Sequence, residues 1–357
     1  NVAGNWTNLG TNEATFTLGT NANLTNQDIK ISYNIVSAGG EGLALTPREV
    51  IKSEADGVEL WRTVGGFNHP REVAIDKNGF VYVADYYKHR LVKLNPDLTY
   101  HSQFGITERP KSDNTGLRNP SGVLVDSQGY IYVTEFFNNR LVKLNPDLTY
   151  NSQFGVTGVA KSDNTGLYNP YGVAVDSQGY IYVADHSNHR LVKLNPDLTY
   201  NSQFGVTGVA KSSNTGFYFP MGVTIDSLGY IYVVDAINHR LVKLNPDLTY
   251  NSQFGVTRVI KSDNTGLNRP HGIAIDSQGY IYVADGGNHR LVKLNPDLTY
   301  NSQFGVTGVA KSDNTGLYNP YGVAVDSQGY IYVADTSNRR LVKMHPNHIA
   351  ITDLSRK

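Results

Sequence analysis

The chain repeats itself every 50 residues, and this period constrains its fold more than any other feature. Each copy opens on a proline, and an aspartate and a glycine keep the same phase behind it. The prolines are Pro70, Pro120, Pro170, Pro220, Pro270 and Pro320. Units of this length are single supersecondary structures that bury their apolar faces by stacking on neighbours. The period therefore predicts six stacked copies of one small unit.

Each copy carries the pattern of four short β-strands. The segments are rich in Val, Ile, Tyr and Leu, and Gly, Pro, Asn or Asp separates them. In the third copy we expect strands at Gly172–Val175, Tyr180–Ala184, Arg190–Leu194 and Tyr200–Phe204. Asp176–Gly179 and Asn195–Asp197 are predicted turns, the first with its glycine in the left-handed region. Six such sheets arranged radially cover one another, so the sequence predicts an all-β, six-bladed β-propeller.

The repeated motif resembles the NHL repeat. From Pro170 the third copy reads PYGVAVDSQGYIYVADHSNHRLV, and the resemblance covers residues 58–345. Propellers with Trp-Asp repeats match poorly, because the chain has only Trp6 and Trp61. NHL repeats build six-bladed propellers, so the resemblance implies that fold. It implies no single function, since such propellers include RNA binders, sensor domains, lyases and scaffolds.

Two terminal segments compete to close the ring. Val58–Gly65 matches Leu298–Gly305, which contains a predicted outer strand, and His348–Leu354 also has the pattern of a strand. We expect Val58–Gly65 to complete the sixth blade, whose other strands should lie near 322–344. Pairing the first and last segments of the ring in this way leaves no open sheet edge.

Residues 1–57 lie outside the repeat and form a predicted β-rich N-terminal arm or small assembly domain. Ala14–Leu18 and Ile29–Val36 alternate as half-buried strands do, but a two-stranded piece is marginal in water. The arm must pack on its own propeller, 58–345, or exchange a strand with another copy. Residues 346–357 are a C-terminal tail or spare strand. A head-to-tail exchange that does not close yields a filament.

Composition limits the partners and the chemistry. Lys+Arg and Asp+Glu are both 31, so the formal net charge is zero, which argues against nucleic acid as a partner. The chain has no cysteine, so disulfides and thiolate metal sites are excluded. No apolar run approaches the ~18 residues of a membrane helix. The chain starts at Asn1, and we expect a processed form whose export signal has been removed.

Each copy has an Asp-x-x-Asn-His-Arg group or a variant of it between the second and third predicted strands, and three copies match it fully, as at Asp185, Asn188, His189 and Arg190. We interpret the group as structural. The aspartate and asparagine are expected to cap the turn, and the arginine to pair with a carboxylate. The histidines lie on separate blades, too far apart to converge on a zinc ion, so we expect no metal site.

The copies differ from one another at three sets of positions. One set follows the repeat proline, one follows the motif aspartate and one precedes the proline, and all three fall on one face of the predicted disc. An aromatic face with scattered polar groups suits a sugar, a peptide or a second subunit; drift in unconstrained loops is the alternative. The candidate ligand-binding residues are Arg71, Tyr86, Tyr87, Phe136, Phe137, Tyr168, Tyr171, Tyr218, His271 and Tyr321.

The positions after the proline also test for catalysis at the propeller axis. Peptide-amidating lyases, which resemble this family, place zinc-binding histidines there, whereas only His271 is a histidine in this chain. No nucleophile elbow or phosphate loop is present. We therefore expect no catalytic residue, no cofactor and no enzymatic activity.

The sequence leaves three functions open. The first is a secreted or cell-surface interaction or structural module that assembles with itself, with possible glycosylation at Asn5 and Asn23. The second is a propeller that binds a carbohydrate or peptide through the aromatic face. The third, which the histidine count disfavours, is a lyase-like enzyme at the axis. The expected partners are the chain itself and a glycan or peptide; nucleic acid and a membrane span are not expected.

Overall fold

The chain folds into six antiparallel sheets, as the six repeats predict. A computed structural model of the protein describes residues 4–8, 14–18, 29–32, 49–55, 58–313 and 315–346. In each of the first five repeats, four consecutive strands pair in sequence order, and the sixth repeat supplies three strands of a larger sheet. The prediction of an all-β, six-bladed propeller is confirmed.

The blades have nearly identical strand boundaries. Blade 1 consists of Pro70–Ile75, Val81–Asp85, Arg90–Leu94 and Tyr100–Phe104. Blade 2 consists of Pro120–Val125, Ile131–Glu135, Arg140–Leu144 and Tyr150–Phe154. Blade 3 consists of Val173–Val175, Ile181–Asp185, Arg190–Leu194 and Tyr200–Phe204, within one residue of the expected boundaries. Blade 4 consists of Pro220–Ile225, Ile231–Asp235, Arg240–Leu244 and Tyr250–Phe254. Blade 5 consists of Ile273–Ile275, Ile281–Asp285, Arg290–Leu294 and Tyr300–Phe304.

Blade 6 joins the two ends of the propeller. Its first three strands are Val323–Val325, Ile331–Asp335 and Arg340–Met344. Its outer strand, Val58–Val64, pairs antiparallel with Arg340–Met344. Glu49–Ala55 and Ile29–Ser32 extend this sheet outward. The ring therefore closes through a strand that precedes the first repeat.

The remaining described elements are short. Gly4–Asn8, which contains Asn5, pairs with Ala14–Leu18 in a separate sheet. Asn23 and the predicted His348–Leu354 strand lie outside the described residues. Short 3-10 helices follow the second strand at Tyr86–Lys88, His186–Asn188, Ala236–Asn238, Gly286–Asn288 and Thr336–Asn338. Over the described ranges, no helix has the length and apolarity needed to cross a membrane.

The hydrophobic core is divided among the junctions between blades. Six of the apolar clusters in the described part of the chain lie one at each junction. Between blades 2 and 3, for example, Tyr132 and Leu141 pack with Val173 and Ile181. Fully burying one such side chain contributes about 1.5–3 kcal/mol. Each blade therefore depends on both neighbours, which is why a closed ring is the stable arrangement.

A hydrogen bond from one blade to the next crosses each of several junctions beside the aromatic face. The histidine after the 3-10 helix accepts at Nδ1 from the backbone N–H that precedes the next repeat proline. For His289 the donor is the N–H of Asn319, at 3.1 Å. In blade 2 Asn139 replaces the histidine, and its Oδ1 accepts from the N–H of Asn169 at 2.9 Å. The repeated histidines are thus structural acceptors, a role that the sequence analysis did not predict.

Glycines line the inner strands where neighbouring blades approach most closely. A Cβ atom on Gly222 would lie 2.6 Å from the carbonyl oxygen of His271 and 3.0 Å from the Cα of Gly272. Blade 1 differs, because Glu72 stands where the other blades have glycine. Its carboxyl group accepts hydrogen bonds from the N–H groups of Val73, at 3.2 Å, and Val323 of blade 6. Burial raises the pKa of Glu72 to about 8.

The junction between blades 6 and 1 has chemistry of its own. Glu72 occupies the space beside Gly322 that another side chain there would need. Across the same junction, the hydroxyl of Thr336 donates to the carbonyl oxygen of Pro70 at 2.6 Å. These contacts distinguish the place where the ring closes from the other junctions.

We predict that replacing a junction histidine by alanine destabilises the propeller, whereas asparagine does not. His289→Ala leaves the Asn319 N–H without its acceptor, which costs about 1–3 kcal/mol for a buried donor. His289→Asn keeps an acceptor in the arrangement that blade 2 already uses, so its effect should stay within about 0.5 kcal/mol. Chemical denaturation of both variants measures the difference, and equal losses would contradict the assigned hydrogen bond.

We predict that the stability of the Glu72→Gln variant relative to the parent increases as the pH rises. The pKa of Glu72 is about 8 in the folded chain, against an ordinary value of 4.5, so the folded state binds the proton more tightly. The free energy of unfolding of the parent must then fall between pH 4.5 and about 8 through this group, and glutamine removes that fall. Melting temperatures at pH 5, 7 and 9 test this, with the exposed Glu108→Gln as the control. A variant-minus-parent difference that does not change with pH contradicts the prediction.

Candidate ligand-binding site at the axial mouth

The connection after the second strand brings two sets of variable residues together. In blade 1, Asp85 ends the strand, Tyr86–Lys88 forms the 3-10 helix and His89 follows in the left-handed region at φ 55°. The N–H of Tyr87 donates to the carbonyl oxygen of Asn68, just before the repeat proline, at 3.1 Å. Residues after the motif aspartate and residues before the proline therefore lie side by side on one face.

A buried ion pair anchors this connection in every blade. In blade 3, Arg190 Nε donates to Asp185 Oδ2 at 2.8 Å, and both side chains are almost completely buried. The Arg190 guanidinium also donates to the carbonyl oxygens of Asp163 and Gly166 and to the side chain of Gln203. Burial raises the pKa of Asp185 to about 6, and the charge of Arg190 opposes this shift. The pair fixes the ends of two strands and the incoming loop as one unit.

The aspartate does not cap the turn, contrary to the sequence interpretation. No side-chain capping bond is found at Asp185. Its Oδ1 instead accepts from the backbone N–H of Tyr168 at 2.7 Å, and its Oδ2 accepts from Asn188 at 2.8 Å. The carboxylate thus holds a segment that is distant in sequence, because it needs several donors to offset burial. The predicted pairing of arginine with a carboxylate is confirmed.

Blade 1 departs from the repeat where its incoming loop is short. The connections into blades 2 to 6 span 15 or 18 residues, whereas blade 6 reaches blade 1 through 65–69 alone. In the other blades the motif asparagine donates to that long loop; Asn188, for instance, donates to the carbonyl oxygen of Lys161. Lys88 replaces this asparagine in blade 1, and its Nζ reaches the carbonyl oxygen of Gly66 at 2.8 Å. The longer side chain compensates for the missing loop.

A cluster of side chains fills the mouth of the axial channel on the variable face. We call it the axial cluster; its members are Arg71, Tyr86, Phe136, Tyr171, His186, Met221, His271 and Tyr321. The Arg71 guanidinium lies 4.2 Å from the centre of the Tyr86 ring and 4.3 Å from that of Tyr321. Every blade contributes at the position after the proline or after the motif acidic residue, and blade 2 contributes Phe136. Variable positions from separate blades therefore converge on one site.

Ring contacts connect the members of the axial cluster. Phe136 meets Tyr171 edge to face, with ring centres 5.8 Å apart, and His186 lies 5.5 Å from Tyr171. On the other side, His271 stacks on Tyr321 with centres 3.7 Å apart and planes at 11°. Offset and edge contacts of this kind stabilise aromatic pairs beyond simple burial. The cluster is thus an organised surface of rings around one cation.

Two variable positions in blade 5 fit each other. Any Cβ atom on Gly286 would collide with the imidazole of His271. Tyr86 and Phe136 occupy the position equivalent to Gly286 in blades 1 and 2, so a large residue there excludes histidine at the position after the proline. This dependence is not expected of loops that drift without constraint.

The electrostatics of the cluster are simple. Burial lowers the pKa of His186 and of His271 to about 3, so both imidazoles are neutral at pH 7. Arg71 is therefore the charged member of the cluster. Across the described ranges, no group of three or more His, Asp or Glu side chains is arranged to hold a metal ion.

The structure separates the predicted site residues into two groups. Tyr87, Phe137 and Tyr168 are exposed around the cluster, each about 40–46% accessible, and Tyr218 stacks on Phe219 beyond it. Those inside the cluster are Arg71, Tyr86, Phe136, Tyr171, His271 and Tyr321. Sequence reasoning did not select His186 and Met221. The sequence could have indicated both, because His186 is at the repeat position of Tyr86 and Met221 is at that of Tyr171.

The opposite face is nearly uniform. In each blade a lysine lies over two aromatic rings; Lys193 Nζ, for example, is 4.2 Å from the centre of Tyr180 and 5.2 Å from that of Tyr182. The Tyr182 hydroxyl donates to Asp176, whose turn closes through Gly179 at φ 85° as predicted. Leu228, 76% accessible, replaces glutamine or asparagine in blade 4. Chemical variety is thus concentrated at the axial mouth.

Sequence comparison finds NHL repeats in four of the six copies. They match at residues 67–94, 167–194, 267–294 and 317–344. No curated protein matches the chain by sequence.

Solved structures share the fold at low sequence identity. Virginiamycin B lyase from Staphylococcus aureus has a TM-score of 0.55 and 13% identity, with 79% of this chain and 98% of that chain covered. An auxiliary nutrient binding protein from Bacteroides thetaiotaomicron has a TM-score of 0.60 and 14% identity, with 79% and 70% covered. A gluconolactonase from Xanthomonas campestris has a TM-score of 0.58 and 13% identity, with 79% and 89% covered. At these identities the likeness shows the fold alone.

The matched repeats and the six blades agree with the resemblance that the sequence motif indicated. The chain is a six-bladed β-propeller, and four of its six copies match the NHL repeat.

Proposed function

We propose that this propeller is a non-enzymatic binding module that takes its ligand at the axial cluster. One observation carries the proposal: blades that are otherwise near copies differ where they meet at the mouth, and their different residues form one organised site. Selection for folding alone would favour the same residue in each blade, as on the opposite face. Concave sites with aromatic walls and few polar groups are the usual form of ligand sites.

The chemistry of the cluster suits a ligand with flat apolar faces and polar edges, such as a sugar or a peptide. Tyr321 and the exposed Tyr87 and Tyr168 present rings with a hydroxyl group at one end, which serve both kinds of contact, and the buried Tyr86 and Tyr171 support them. The exposed Tyr87, Phe137 and Tyr168 extend this surface outward. A larger ligand would contact them after its central group had entered the mouth.

Binding without catalysis is the better supported role. The imidazoles are neutral, and His271 Nδ1 is held 3.2 Å from the carbonyl oxygen of Pro320. This contact keeps the proton on Nδ1 and leaves Nε2 as the acceptor, but a general base works best with a pKa near the working pH, and the pKa of each imidazole is about 3. The fold itself does not distinguish a binding protein from an enzyme, since similar structures include a lyase, a gluconolactonase and a nutrient binding protein.

Self-assembly of an exported protein is a second candidate, favoured by the extended sheet of blade 6. Ile29–Ser32 is the outermost strand of that sheet, and an edge strand can pair with another chain through main-chain hydrogen bonds. The two sequons at Asn5 and Asn23 support export.

We predict that ring truncation at the axis weakens ligand binding much more than a change on the opposite face. A glycan array and a peptide library would supply the ligand, and calorimetry its affinity. Tyr171→Ala and Tyr321→Ala should each cost about 2 kcal/mol or more, roughly thirtyfold in Kd. Leu228→Gln, which restores the common residue on the uniform face, should change Kd less than twofold.

Two results would contradict the binding proposal. Unchanged affinity in both tyrosine variants, with melting temperatures showing that they are folded, would place the ligand elsewhere. Conversion of the ligand during incubation, detected by mass spectrometry, would show an enzyme.

For the assembly candidate, we predict that deleting residues 1–32 abolishes self-association and leaves a folded monomer. The deletion removes the edge strand while keeping Val58–Val64 in blade 6. Sedimentation of the full chain and the truncated chain over a range of concentrations measures this. A full-length chain that stays monomeric at high concentration would rule the candidate out.

A further inference from the structure

Arg71 lacks the partners that the chain gives its other buried arginines. Arg190, in the repeated ion pair, donates to a carboxylate, to carbonyl oxygens and to side-chain oxygens. Arg71 Nε is also buried, but within the described residues it has no hydrogen-bond acceptor. The rings of Tyr86 and Tyr321 attract the charge, yet a ring face does not replace the in-plane acceptors that five N–H groups require.

No neighbouring group neutralises this charge. Glu72 is adjacent in sequence, but its carboxyl group accepts from the backbone N–H groups of Val73 and Val323. Among the described ion pairs, none includes Arg71. His186 and His271, which also face the cluster, are neutral. A charged group that is partly removed from water is normally paired, so Arg71 gives the mouth one positive charge without a counter-ion among the described residues.

We propose that the axial cluster binds an acidic carbohydrate, a hexuronate, whose carboxylate pairs with Arg71 while its ring packs against the exposed aromatic rings around the cluster. This assignment rests on the proposed function, namely that the mouth binds a ligand, and it specifies the chemical class of that ligand. A planar guanidinium matches a carboxylate through two parallel hydrogen bonds.

The backbone around the mouth favours a sugar over a peptide. Peptide recognition by strand addition needs free main-chain donors and acceptors at a sheet edge. The inner strands offer few, because they bond across the junctions: the N–H of Gly172 donates to Met221 at 3.0 Å and that of Gly222 to His271 at 2.8 Å. The N–H of Tyr321 likewise donates to Ala334 within its own blade. What remains at the mouth is ring faces, hydroxyl groups and one guanidinium, which a sugar acid can use fully.

The test compares acid and ester forms of the same sugars on matched variants. The probes are oligosaccharides of glucuronate, galacturonate and mannuronate, their methyl esters, and the peptide Ala-Tyr-Glu. The proteins are the full chain, Arg71→Gln, and Arg269→Gln as a control that removes an exposed positive charge from the same face. We expect at least one acid to bind, its ester to bind at least tenfold more weakly, and Arg71→Gln to lose at least tenfold for the acid but not for the ester. Arg269→Gln should stay within twofold.

Stability provides an independent readout. Arg71→Met removes an unsatisfied buried group and keeps an apolar side chain, so its melting temperature should equal or exceed that of the parent. A large decrease would show that Arg71 is a structural clamp between Tyr86 and Tyr321, and it would overturn the proposal.

The remaining outcomes separate this inference from the proposed function. Equal binding of acid and ester, or unchanged acid binding in Arg71→Gln, overturns the assignment of a carboxylate while leaving the mouth as a binding site. Binding of the peptide in place of every sugar acid overturns the assignment of a carbohydrate. A parent chain that binds nothing in the wider glycan and peptide screen removes the proposed function itself, and this inference with it.

Discussion

The buried pair of aspartate and arginine is the interaction on which the rest of the propeller depends. Two opposite charges, such as Asp185 and Arg190, are removed from water in each blade, which is unfavourable unless every donor and acceptor is satisfied. The acceptors for the guanidinium come from the incoming loop and the outer strand, and the carboxylate holds the segment before the inner strand of the same blade. Satisfying one pair therefore fixes the positions of most connections in a blade. The variable residues lie on these connections, so the same pair makes the mouth a rigid site.

The sequence was sufficient to predict the fold because the patterns that define its strands and turns are local. Alternation and turn residues define each strand, and a glycine such as Gly179 ends the hairpin at the expected place. The closing strand could be recognised because Val58–Gly65 repeats the pattern of an outer strand. Blade 2 shows that a substitution in the repeated ion pair is tolerated. Glu135 replaces the aspartate, and its longer side chain still contacts Arg140 and the N–H of Arg118.

The site could be predicted only in part, because convergence at the axis is a tertiary property. Repeat positions indicated which residues share a face, but Tyr86 is buried in the cluster whereas its neighbour Tyr87 is exposed. That difference follows from the direction of each side chain on the 3-10 helix, which no periodicity specifies. The acceptor role of His289 and the contact of Lys88 with Gly66 could likewise not be predicted from the sequence, since each involves a partner far away along the chain.

The special chemistry where blade 6 meets blade 1 bears on how such a protein can change in evolution. Thr336 and Glu72 provide contacts across that junction, while the other five share a hydrogen bond from the backbone before the repeat proline to a histidine or asparagine side chain. Unequal recombination between the repeated stretches of the gene would add or delete an internal blade, yet the two terminal blades would still carry their matching side chains. The identity of the blades that meet is therefore encoded separately from the number of blades. That number is limited only by the curvature that the common interfaces allow.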